Sequence, residues 1–66
     1  MKYNQISSNG LRALHSGIVS ALAEDDAQPP HRKAYGVREY PDWRRHADCI
    51  EAELAARGQW IVPVRW

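Results

Sequence analysis

The stretch Tyr40-Pro41-Asp42-Trp43, with the residues that follow it to Gly58, reads as one complete helix. Proline is favoured at the first helical position, where a missing N–H breaks no intrahelical bond. Asp42 in the first turn complements the positive end of the helix dipole. Trp43, Ala47, Ile50 and Leu54 recur on one face. Glu53 and Arg57 stand in the favourable i,i+4 order, and Gly58 suits the left-handed residue that ends a helix. A helix over about 41–57 is therefore expected.

Working outward, the segment Trp60-Ile61-Val62-Pro63-Val64-Arg65-Trp66 alternates at period two. It predicts a strand over about 59–65, with Trp60, Val62, Val64 and Trp66 on one face. Pro63 has no N–H to give a central ladder, so the strand belongs at an edge, free to add to another sheet. Its partner is expected in a short strand over 34–39, where Tyr35, Val37 and Glu39 alternate with Ala34, Gly36 and Arg38, or in residues 2–6.

Upstream, a helix is expected over about 7–24. Ser7 is placed to cap it, because a hydroxyl can accept from an otherwise orphan amide. Ile6 and Leu11 hold the two positions of a hydrophobic staple. Leu11, Leu14, Ile18 and Leu22 form its stripe. Gly10 and Gly17 each weaken it by up to about 1 kcal/mol relative to alanine. Asp25 and Asp26 fall at the negative end of the dipole, where fraying is expected. Residues 25–34 form the linker, and Pro29-Pro30 favours an extended path there.

The fold class these elements define is α+β: two amphipathic helices joined by a Pro-containing loop, with a minimal sheet that includes a C-terminal edge strand. The expected core is Ile6, Leu11, Leu14, Ile18, Leu22, Trp43, Ala47, Ile50, Leu54 and Val62. The 66 residues suffice for one domain. The lone Cys49 excludes an internal disulfide and points to a reducing, cytoplasmic compartment. The start Met1-Lys2-Tyr3-Asn4-Gln5 lacks the apolar run of a secretion signal, and no stretch has the length of a membrane span. A net charge of +1 predicts no strong general pull on polyanions.

The residues able to carry chemistry are few. His46 and Cys49 lie at i and i+3, and His15 and His31 would complete four metal ligands. The spacing matches no paired short-spaced zinc pattern, so a flanking imidazole and a structural thiol are the plainer assignment. A reactive cysteine wants a helix N-terminus or a cationic neighbour, plus an oxyanion hole. Cys49 is mid-helix, with Arg45 and His46 a turn before it and no glycine-rich elbow. Asp25-Asp26, Asp48, Glu51 and Glu53 read as solvated carboxylates, because a chain this short has little room for a cleft that would retune them. No enzyme activity, cofactor or metal is expected.

Two binding surfaces have more substance. Ala13, Gly17 and Ala21 are spaced by four on the first helix. Ala52 and Ala56 make a similar ridge on the second, with Cys49 beside it. Small side chains at that spacing let helices approach closely. Trp66 ends the exposed strand, and aromatics are the residue type of interface hot spots. These residues make a small non-enzymatic protein-interaction module or accessory subunit the first expectation, with a protein partner or self-association as a homodimer. The alternative is a small nucleic-acid-binding protein. Arg32, Lys33, Arg38, Arg44 and Arg45 cluster, with Tyr35, Tyr40 and Trp43 interleaved for base stacking. Glu39 and Asp42 interrupt that cluster.

Overall fold

Ser7 begins the first helix as a cap, its hydroxyl accepting the Gly10 N–H at 3.0 Å in the computed structural model, which describes residues 2–66. Helix α1 spans Ser8–Asp26 and helix α2 spans Pro41–Ala56. Short 3₁₀ turns at Tyr3–Gln5 and Pro30–Arg32 precede α1 and interrupt the connection. Ile6 lies close over Gly10, within 2.9 Å of where a Cβ would stand.

Helix α2 opens on Pro41 and closes in a Schellman turn. Gln59 N–H donates to the Leu54 carbonyl and Gly58 N–H to that of Ala55, both at 2.9 Å. Gly58 takes φ +72°, a conformation that penalises any residue with a Cβ.

The two helices pack antiparallel. Arg57, at the end of α2, reaches Ser8 at the start of α1, and His15 meets Glu51 midway. Leu11, His15, Ile18, Leu22 and Asp25, spaced alternately four and three apart, are the buried seam of α1, with Ala21 buried beside them, and Ala47, Ile50 and Leu54 are the buried positions of α2. Such seams let two helices lie side by side along their length. The Arg57 guanidinium ties the N-terminal segment to this hairpin. It donates to Glu53 at 2.9 Å, to Ser8 Oγ at 3.1 Å, and to the carbonyls of Tyr3 and Ile6 at 3.2 and 2.7 Å.

No strand forms among the described residues, so the expected α+β architecture is corrected to an all-helical hairpin with an extended tail. Each expected pairing fails for a physical reason. Residues 34–39 are bent into a turn, with Gly36 at φ +67° and Tyr40 N–H returning to the Gly36 carbonyl at 2.9 Å. Residues 3–5 are already a 3₁₀ turn. The tail thus has no strand to pair with and lies along the hairpin instead. Ile61, Val64 and Trp66 pack against the core, while Trp60 and Val62 point outward. Val64, Val37 and Ala21 complete the core, whereas Val62 and Leu14 lie outside it.

Helix α1 also runs two residues past its expected end at 24. Asp25 is 1% exposed, and its carboxylate accepts the N–H groups of Tyr35 and Val37 at 3.1 and 2.9 Å. Arg38 grips both oxygens of Asp26 at 2.9 Å. These charge-assisted bonds outweigh the modest dipole penalty at a helix C-terminus. No helix among the described residues is long and apolar enough to cross a membrane.

Candidate protein-interaction surface

The extended tail is fixed by side chains that bind its backbone. Arg12 donates to the Trp60 carbonyl at 3.4 Å and to Gln59 Oε1 at 3.3 Å. One carboxylate oxygen of Glu51 accepts both Val64 N–H, at 3.0 Å, and His15 Nε2–H, at 2.8 Å. Arg38, already bound to Asp26, donates to the Trp66 carbonyl, and Arg44 stacks over the Trp66 ring at 5.7 Å. His15 is only 3% exposed, so the middle tether is anchored inside the hairpin. A hydrogen bond to a charged group in such a setting is worth about 1.5–3 kcal/mol.

Held this way, the tail and one side of α1 form the walls of an open groove of about 940 Å³. Val19, Ser16, Ser20 and Ala23 line its helical wall, and Trp60, Val62 and Pro63 line the other. Trp60 is 78% exposed and Val62 is 53% exposed. An aromatic and a β-branched side chain held outward beside Val19 make a contiguous apolar patch, the kind of surface that marks an interaction site. Val19, Trp60 and Val62 had no place in the sequence-derived interface. The available signal was negative: with Gly36 in the only other alternating segment, the tail lacked a credible strand partner, and one of its faces had to remain open.

The two small-residue ridges are not brought together. Ala21 is buried in the core, while Ala13 and Gly17 are exposed on α1. Ala52 and Ala56 are exposed on α2, with Cys49 half-buried beside them. Each helix turns its buried stripe toward the other, so their outer faces look in opposite directions and cannot form one surface. Trp66 is tucked against the core under Arg44.

The basic cluster is largely engaged within the fold. Lys33 pairs with Glu39 at 3.1 Å, Arg38 with Asp26 at 2.9 Å and Arg45 with Asp42 at 2.7 Å, while Arg44 covers Trp66. Arg32 is the member with no carboxylate or aromatic partner among the described residues. The Tyr35 ring meets the partly buried Trp43 edge-on at 6.0 Å, and a hydrogen bond to Glu24, with that carboxylate's charge, raises its pKa. Tyr40 is exposed.

A second, smaller hollow lies on the far side of α2, where Tyr3, Trp43, His46 and Cys49 converge. The Tyr3 hydroxyl and His46 Nδ1 share a hydrogen bond of 2.6 Å. Burial raises the Tyr3 pKa, and the nearby Cys49 thiol adds to the rise, so the phenol stays neutral. His15 is committed to Glu51 and His31 lies in the connection, so neither joins His46 and Cys49. No three His, Cys, Asp or Glu side chains come together to hold a metal ion among the described residues. The Tyr3–His46 contact instead anchors the N-terminal turn to α2.

Comparison with family models, with curated proteins and with solved structures finds no match to the chain.

Proposed function

We propose that the chain is a small non-enzymatic protein-interaction module whose docking face is the groove between α1 and the C-terminal tail. The observation that carries this reading is the outward presentation of Trp60 and Val62 on a backbone tethered at three points. An apolar side chain left in water on a mobile tail has little meaning. The same side chain on a tethered tail is pre-organised, and pre-organisation lowers the entropy lost on binding. The nucleic-acid alternative has less support, because four of its five cationic side chains already have partners within the fold.

Val62→Asp tests the docking face, since it places a charge in the apolar patch without entering the core. The expected result is capture of a discrete, nuclease-resistant partner from the source lysate by the wild-type chain. Val62→Asp should reduce that recovery by about tenfold or more, with an unchanged far-UV CD spectrum. Equal recovery with both chains, or recovery of nucleic acid alone, would overturn the proposal.

A further inference from the structure

The docking reading leaves open what enters the groove, and the charges around it narrow the choice. Arg12 and Arg65 both line the groove, and neither has a carboxylate partner among the described residues. The one acid on the lining, Asp26, is held through both oxygens by Arg38. The groove is therefore an apolar strip between two guanidiniums. Arg65 lies five positions on from Trp60, which Arg12 holds, about 16 Å along an extended chain.

The tail's backbone argues against a partner strand. Pro63 has no N–H, Val64 N–H is spent on Glu51, and the carbonyls of Trp60 and Trp66 are spent on Arg12 and Arg38. A strand added to this edge would meet a ladder interrupted at Pro63, at Val64 and at the carbonyls of Trp60 and Trp66. Recognition must instead run through side chains. The short residues Ser16, Ser20 and Ala23 on the α1 wall leave room for a helix to lie close.

A second copy of the chain is a poor match. Of its acids, Asp26, Glu39, Asp42, Glu51 and Glu53 pair with basic side chains, and Asp25 is buried. Only Glu24 and Asp48 remain without a cationic partner among the described residues, and they lie on different helices.

We infer, resting on the docking face proposed above, that the groove takes an amphipathic helix of a partner protein whose apolar stripe is bounded by a carboxylate at each end. At 1.5 Å per residue the two acids would stand about eleven residues apart, one meeting Arg12 and the other Arg65.

The test is selection of displayed random peptides on the immobilised full chain, with Val62→Asp as the control surface. The expected result is enrichment of helix-forming sequences with Asp or Glu at both ends of an apolar stripe. Their binding should fall by about tenfold on Arg65→Glu and recover when the matching acid is changed to lysine. Arg65 is exposed and holds no tether, so this variant keeps the fold. Enriched apolar peptides without acidic bias, lost on Val62→Asp, would overturn the acidic-helix inference and leave the docking face standing. No enrichment over Val62→Asp would overturn both. A dimer in sedimentation analysis that Val62→Asp dissolves would replace the partner helix with a second copy.

Discussion

Leu54→Ala is expected to leave the chain without a cooperative folding transition at 37 °C. Leu54 is 0% exposed and belongs to the single core cluster shared by both helices and the tail. Removing a buried leucine side chain to alanine costs ~3–5 kcal/mol, because the lost transfer energy is joined by a cavity the neighbours fill only in part. A chain of this size, with no disulfide, has a core worth only ~3–5 kcal/mol in total. The substitution therefore removes about the whole margin. Thermal melting followed by far-UV CD reads the outcome directly. A sharp transition within about 5 °C of the wild type would show that the stability lies elsewhere than in this seam.

The second large effect is expected at Asp25. Its carboxylate closes the connection between the helices by accepting the amides of Tyr35 and Val37. Burial pulls its pKa upward, but hydrogen bonds from the amides of Val37, Tyr35 and Gly36, with the charge of Lys33, lower it below the ordinary aspartate value. Asp26 is lowered as well, first by its hydrogen bonds to Arg38, against opposing burial, and further by the charges of Arg38 and Lys33. Below an ordinary carboxylate value near 4, the unfolded chain takes up protons that the folded chain still refuses. Both groups then contribute stability that is complete above about pH 4 and is lost as pH falls through the lowered folded values.

Asp25→Ala removes the acceptor and leaves the Val37 amide buried without a partner. The expected result at pH 7 is a Tm lower by roughly 10 °C or more, with a shallower fall below pH 4 than in the wild type. A variant that melts with the wild type at every pH would refute this role for the carboxylate.

The helices were legible because their signals are local. Ser7, Pro41 and Gly58 each act within one turn of themselves, and the apolar spacing of Leu11, Ile18, Leu22, Ala47, Ile50 and Leu54 needs no knowledge of distant residues. What sequence reading misassigned depends on partners far along the chain. Asp25 and Asp26 read as a fraying end because the amides and the guanidinium that hold them lie 10 to 12 residues downstream. The tail read as a strand because period-two alternation reports an extended chain, not what the chain pairs with. Its real partners are side chains of Arg12, Glu51 and Arg38, and only Ile61, Val64 and Trp66 turn inward. The same error hid the candidate docking face, since Trp60 and Val62 were assigned to the side that packs. The arginines read as a phosphate-binding patch are ordinary in composition, and only their geometry reveals that most are spent within the fold.

Three polar tethers also set how the molecule breathes. Helical backbone bonds open together with the core, but the tail can lift by releasing the Trp60, Val64 and Trp66 contacts while the hairpin stays closed. Its opening is therefore expected to cost less free energy than opening of the helical hairpin. In amide hydrogen exchange, the Val64 proton reports that lifting, the unpaired amides around it exchange sooner, and those of Ile50 and Leu54 wait for the hairpin. A ligand seated against Trp60 and Val62 would slow the Val64 proton first, so the tail doubles as a built-in reporter of its own occupancy.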